Sequence, residues 1–267
     1  MQFAESAPAK LNLALHVRGR RADGRHDIET LFAFCIDGDR MEAEEADGLT
    51  LAVKGPFADA LGGGEENLVF RAAHALAKRA GVAANAALIL TKTLPVASGI
   101  GGGSADAAAT LRLLTRQWRI DPAHAAAVAP GLGADVPACL LSLTARGEGT
   151  GDALALVDDS GLTGTPVLLV NPLQPLSTAA VFAKWDGIDH GPLGEWRDGR
   201  NDLESPARAL VPAIGDILDW LAGQGATVWR MSGSGATCFA LFAEEAARDQ
   251  AAVACPREWW HLASQLR

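Results

Sequence analysis

The amino-acid sequence predicts an α+β protein of two domains, and three observations predict it. A glycine-rich stretch sits between a strand-like run and a helix-like run near the middle of the chain. An alternating strand lies near the start. The second half orders its apolar runs as strand, helix, helix, strand, strand, helix and strand, which approximates a split βαβ sandwich. At 267 residues the chain has room for one large domain or two smaller ones.

Taken in order, Leu11, Leu13, Leu15 and Val17 alternate with Asn12, Ala14 and His16, a half-buried strand whose polar face carries Lys10 and Asn12. A turn over Arg20–Arg25 leads to His26 and a second strand-like run, Thr30–Ile36; Gly48–Val53 is a third. Residues 67–80 read as a helix with Leu68, Ala72, Ala75 and Leu76 on one face, stopped near Gly81. The strand Ala87–Lys92 follows, then the glycine stretch, then a helix marked by Ala107, Leu111, Leu114 and Trp118. Asp121-Pro122 starts another helix that stops near Pro130-Gly131, and an apolar piece runs on to Leu143. Arg146–Asp152 is polar and glycine-rich and reads as a flexible boundary between halves. Beyond it come a strand at 166–170, a helix at 178–185, a loose loop at 187–200 and one long helix at 206–223. Strands at 227–231 and 237–242, joined by Ser232-Gly-Ser-Gly235, precede a helix at 244–254 and a last strand near Trp259.

The glycine stretch is Pro95, Val96, Ala97, Ser98, Gly99, Ile100, Gly101, Gly102, Gly103, Ser104, Ala105 and Asp106. Ser104 stands where an N-cap is expected, with Asp106 in the first turn, where the helix dipole favours an acid. Strand, glycine loop and helix N-terminus together present bare backbone N–H groups to an anion, and glycine lets a phosphate approach without meeting a Cβ. No Gly-Lys-Ser/Thr closes the loop, so it is not a Walker A motif. Gly99-x-Gly101-x-x-Ser104 echoes the dinucleotide fingerprint, with Asp121 at about the right distance. Against that, the helix pattern continues from Leu114 to Asp121 with no second strand, so an NAD-binding oxidoreductase is the lesser alternative.

The net charge of −9 argues against a nucleic-acid partner, which needs a basic surface. Cys35, Cys139, Cys238 and Cys255 are widely spaced and form no CxxC pair, so neither a disulfide framework nor a zinc knuckle is indicated. The first twenty residues carry Glu5, Lys10 and Arg18 with no uninterrupted apolar run, so no signal peptide is read. No stretch reaches the ~18 apolar residues of a membrane helix, and a cytoplasmic protein without a membrane partner is expected.

Three stretches stand out together: Pro8-Ala-Lys-Leu-Asn-Leu13, the glycine loop, and Ser232-Gly-Ser-Gly-Ala-Thr-Cys238. In order and spacing they resemble the three motifs of the GHMP small-molecule kinases, which include galactokinase, homoserine kinase and mevalonate kinase. The resemblance covers essentially the whole chain. It implies an N-terminal ATP-binding α/β domain over residues 1–146 and a C-terminal split βαβ, ferredoxin-like domain over 147–267. Within the family the likeness is to the branch that phosphorylates the 2-hydroxyl of a cytidine diphosphate-linked methylerythritol in non-mevalonate isoprenoid synthesis. Ala7–Leu13, Asp23-Gly-Arg-His26, Glu29-Thr-Leu-Phe32, Gly133-Ala-Asp-Val-Pro137 and Asn201-Asp-Leu-Glu204 carry that likeness. A GHMP kinase for homoserine or a sugar is the nearest alternative. Monomer and homodimer are both open.

Phosphoryl transfer to a hydroxyl needs charge stabilisation, alignment and a group to receive or order the hydroxyl proton. Backbone donors over Gly99–Ser104 suit ATP phosphates, and the Ser104 hydroxyl suits a phosphate or Mg²⁺. Lys10 is a cation suited to developing charge, and Asp135 a carboxylate able to accept a proton. The resemblance gives Lys10 and Asp135 these catalytic positions. It also places Asn12, His26, Thr178 and Phe182 on the substrate and Asn67, Leu68 and Lys92 around the adenine. Two departures from the family pattern stand out: Arg25 replaces the usual tyrosine, and Ala183 stands where lysine is frequent. A guanidinium stacks on bases as a ring does, so Arg25 is expected over the cytosine or against the diphosphate.

Overall fold

The computed structural model describes residues 3–61, 64, 66–158 and 161–267. These form two compact units, each drawn from separate stretches of chain. The first comprises the described residues of Met1–Ala9, Asp37–Val96 and Gly101–Ser142; the second comprises Lys10–Ile36, Ala97–Ile100 and the described residues of Leu143–Arg267. Two long strands, β1 (Phe3–Arg20) and β2 (His26–Glu44), change unit along their length.

In the first unit β3 (Leu49–Lys54) pairs parallel with β4 (Ala86–Thr91), and β4 pairs antiparallel with the end of β2, Arg40 opposite Thr91. Helix α1 (Leu68–Ala80) joins β3 to β4. It starts where the Asn67 side chain accepts the Val69 N–H at 2.9 Å and stops at Gly81, whose φ of 69° is the left-handed conformation glycine adopts without strain. Against it pack α2 (Gly102–Gln117) and α3 (Ala123–Leu132), with α4 (Val136–Leu141) set against α2 and α3. The buried stripe of α2 is rich in alanine, including Ala105, Ala107, Ala108 and Ala109, and small side chains let the helices approach closely. Arg112 ties three segments of this unit: it donates to Glu5 Oε1 at 2.9 Å, to the Ser6 carbonyl at 2.9 Å and to the Cys139 carbonyl at 2.7 Å.

The expected cap of α2 is corrected here. Helix α2 is capped by Gly101, not Ser104: a φ of 65° at Gly101 turns the chain into the helix earlier, so Ser104 lies inside the first turn and Asp106 is buried beyond it. The stretch from Leu114 to Asp121 contains no strand, as expected, although α2 ends at Gln117 instead of running on to Asp121; Asp121 Oδ1 accepts the Ala123 N–H at 2.8 Å and opens α3, and the dinucleotide-fold alternative falls. Helix α3 also runs through Pro130 to Leu132, a little past its expected stop.

In the second unit the remaining lengths of β1 and β2 pair, joined by a turn in which Arg21 donates its N–H to the Arg25 carbonyl at 2.8 Å. The stretch 146–152 is not a flexible boundary. It belongs to a hairpin of β5 (Ala145–Glu148) and β6 (Ala153–Leu156), and β5 pairs with β2 through Thr30 opposite Gly147. Its glycines provide the turn, with φ of 67° at Gly149 and 95° at Gly151.

The rest of this unit runs β7 (Pro166–Asn171), α5 (Thr178–Ala183), α6 (Glu204–Leu210), α7 (Ala213–Ala222), β8 (Val228–Met231), β9 (Cys238–Leu241), α8 (Glu245–Ala254) and β10 (Trp260–Gln265). The sheet order is β10-β7-β9-β8, antiparallel throughout, which is the split βαβ arrangement the sequence predicts. The expected single helix over 206–223 is two helices. Pro212 has no N–H to continue the first, and Val211 leaves helical geometry at φ −131°, ψ 87°. The leucine phase survives because both helices bury their faces in one core with Leu168, Val170, Ile214, Leu218 and Phe242. Among the described residues no helix is long and apolar enough to cross a membrane.

Candidate active site

The second unit brings the two end motifs and the tip of the glycine loop together. Lys10 is 2% exposed; its ammonium donates to Asn12 Oδ1 at 2.7 Å and lies 5.3 Å from the Phe32 ring centre. The Lys10 N–H donates to the Ile100 carbonyl at 2.9 Å. Asn12 donates its side-chain N–H to Thr30 Oγ1 and its backbone N–H to Ser232 Oγ, whose own hydroxyl donates to the Gly99 carbonyl. A Cβ on Gly99 would stand 2.5 Å from the Gly235 carbonyl oxygen and 2.7 Å from that of Ser232, so this glycine is required by backbone packing against the third motif. One organiser of this cluster was legible only as an unexplained motif: Asn201 donates to the Met231 and Gly233 carbonyls at 2.7 and 2.8 Å and accepts from the Leu203 N–H at 3.0 Å. It thereby clamps the loop that carries Ser232.

The loop's conformation suits an anion. Ala97, Gly99 and Gly101 have φ of 51°, 77° and 65°. Left-handed residues alternating with ordinary ones turn successive N–H groups toward one side and make an anion-binding concavity. Helix α2, in the first unit, supplies a free N-terminus, and a Cβ built on Gly103 meets nothing within 4 Å. Among the described residues no group of three or more His, Cys, Asp or Glu is arranged to hold a metal ion.

Also in the first unit, Asp135 occupies the N-cap of α4 without its side chain capping that helix; Pro137 has no N–H to offer it. Lys92 is 1% exposed and held by two carboxylates, Asp39 at 2.5 Å and Asp106 at 2.8 Å. Asp39 also accepts the N–H groups of Thr93 and Leu94, which fixes the chain just before the glycine loop. Burial pushes the Asp106 carboxyl up to about 7; Lys92 opposes that shift and the Asp39 charge adds to it. Asp106 Oδ1 has no partner among the described residues.

A third group, in the second unit, is aromatic. The His26 ring stacks on Phe182 with centroids 4.6 Å apart and an interplanar angle of 27°, and Trp185 meets His26 edge-on at 5.5 Å. Burial lowers the His26 pKa, and the charge of Arg20 lowers it further, so the ring is neutral near pH 7. Thr178 Oγ1 is 2.9 Å from Ser234 Oγ, which links the helix bearing Phe182 to the third motif. Arg25 stands apart from these rings: its guanidinium is 3.4 Å from Asp23 and its side chain is 68% exposed.

Comparison with known proteins gives the family. Residues 67–142 match the family model for the GHMP kinases N-terminal domain, and residues 182–261 match that for the GHMP kinases C-terminal. The chain is 55% identical to 4-diphosphocytidyl-2-C-methyl-D-erythritol kinase of Rhizorhabdus wittichii, covering 100% of this chain and 96% of that one. It belongs to the GHMP kinases.

The same-named protein of Sphingopyxis alaskensis is 51% identical, with 98% of each chain covered. A crystal structure of 4-(cytidine 5'-diphospho)-2C-methyl-D-erythritol kinase superposes with a TM-score of 0.84 at 32% identity, covering 100% of this chain and 99% of that one. Homoserine kinase from Cytophaga hutchinsonii superposes at 0.70 with 15% identity, covering 99% and 95%, a likeness of fold alone. GHMP kinases are ATP-dependent kinases.

Proposed function

We propose that this GHMP kinase transfers the γ-phosphoryl group of ATP to the 2-hydroxyl of 4-diphosphocytidyl-2-C-methyl-D-erythritol, with Mg²⁺ as the metal. The observation that carries the reading is the identity of about half along the full length of relatives bearing that name. The stack of neutral His26 on Phe182 supports a substrate with a nucleobase, since a ring that both donates and accepts can address a pyrimidine edge.

In this reading the glycine loop from Pro95 to Ala105 cradles the phosphates and Asn67 and Leu68 border the adenine, whereas Lys92, expected there as well, is buried with its ammonium held by Asp39 and Asp106. Lys10 stabilises charge that develops on the transferring group, and Asp135 receives or orients the hydroxyl proton. Asn12, Arg25, His26, Thr178 and Phe182 hold the acceptor substrate. Mg²⁺ neutralises phosphate charge when bound, and Ser104, in the first turn of α2, is the residue whose hydroxyl fits it. The purified protein is expected to release ADP when given ATP, Mg²⁺ and the cytidine diphosphate substrate. Turnover of homoserine or a free sugar in preference to that substrate would overturn the reading.

Gly103→Val is expected to raise KM for ATP at least tenfold with little effect on KM for the acceptor. Its Cβ meets nothing within 4 Å in the folded protein, and the side chain intrudes where this reading brings the phosphates. Gly101 is a poorer probe, because its positive φ strains any side chain. An unchanged KM for ATP in steady-state kinetics would detach the loop from the nucleotide.

Arg25→Ala is expected to raise KM for the acceptor by a factor matching about 1–3 kcal/mol, the scale of one base stack, with KM for ATP unchanged. Arg25→Tyr restores much of that loss if the guanidinium stacks on cytosine, and little if it pairs with the diphosphate. Wild-type kinetics for Arg25→Ala would leave it as the solvated turn residue that its pairing with Asp23 describes.

A further inference from the structure

The aromatic group contains a residue that the sequence does not single out. Trp185 follows α5, packs against the core of the second unit and sets its ring edge-on to His26. Its indole N–H is closed off from solvent and has no hydrogen-bond acceptor among the described residues. A buried donor left unpaired is costly, and a folded protein keeps one where a ligand supplies the acceptor.

The neighbouring contacts show how such an acceptor would arrive. His26 lies flat on Phe182 at 4.6 Å, which is the separation a stacked base would take. It also covers Trp185. A planar base that replaces His26 on Phe182 therefore both gains the stack and uncovers the indole. His26, neutral because burial and Arg20 disfavour its charged form, can then turn to the edge of the same base. The base must offer a carbonyl toward the indole, and every pyrimidine nucleobase carries one.

Resting on the cytidine-substrate reading, we propose that Trp185 is a recognition residue for the pyrimidine, donating its indole N–H to a ring carbonyl once the base displaces His26 from Phe182. The proposed phosphoryl transfer does not pass through it. Its effect belongs in acceptor binding and in base identity.

Trp185→Phe keeps an aromatic ring of similar shape and removes only the donor. It is expected to raise KM for the acceptor about 5- to 30-fold, the range of one buried hydrogen bond, with kcat and KM for ATP near wild type. CMP and UMP, which share that carbonyl, are expected to lose inhibitory potency together. CMP is also expected to change the tryptophan emission of the wild-type protein and to change that of the variant far less. Unaltered acceptor KM and CMP potency in Trp185→Phe overturn the proposal, even if the wild-type protein turns the substrate over normally. Equal losses for ATP and acceptor overturn it as well, since they mark a packing role. A wild-type protein that does not phosphorylate the cytidine substrate removes the substrate reading, and this inference with it.

Discussion

Asp135→Asn is expected to lower kcat by about 10²- to 10⁴-fold, with KM for ATP and thermal stability close to wild type. The side chain of Asp135 makes no cap bond to α4, so the substitution leaves the start of that helix as it is. Asparagine preserves the shape and removes the charge and the proton acceptor. Lys10→Ala is expected to reduce kcat as well, and the double variant shows whether the two act as one unit, because coupled groups give losses far from additive. A near-normal kcat for Asp135→Asn, measured by ADP release, would reduce Asp135 to a residue of the turn.

The second large effect concerns stability. Lys92→Met should destabilise the fold by about 3–5 kcal/mol, because it leaves the buried carboxylates of Asp39 and Asp106 facing each other without their cation. The loss should be smaller at pH 5 than at pH 8. Asp106 titrates at about 7 in the folded protein and near 3.9 in an unfolded chain, so the folded state holds a proton across that interval. The resulting stabilisation is complete below about pH 4 and is lost as pH rises through about 7. Removing Lys92 leaves protonation as the remaining means of neutralising the pair, so acid partly rescues the variant. Melting temperatures at the two pH values test this, and equal losses at both would show that Asp106 does not take up the proton.

How far the sequence foretold these features depended on how local each one was. The stop of α1 near Gly81 was readable because a glycine that ends a helix acts on its own turn. The split βαβ order was readable because each element carries its own periodicity. Ser104 was misread as the cap because glycine at a positive φ starts a helix without a side-chain signal. Pro212 was overridden by a leucine phase that two helices share. The Asp39–Lys92–Asp106 group could not be foreseen, since Asp39 and Lys92 are 53 positions apart and only the pairing of β2 with β4 brings them together. Trp185 carried no signal either: its meaning comes from His26, which lies in a distant stretch of the chain.

The division of β1 and β2 between two units bears on how the protein is made. Synthesis proceeds from the N-terminus, and residues 10–36 emerge early, yet the rest of their unit lies in 97–100 and 143–267. That unit is complete only once β10 has been made, so for most of translation its two longest strands have apolar residues such as Leu11, Leu13, Phe32 and Phe34 without all their final partners. Pairings this distant in sequence slow folding and prolong exposure to aggregation. A cut after residue 142 therefore leaves every segment of the first unit on one fragment but divides the second, separating residues 10–36 and 97–100 from 143–267.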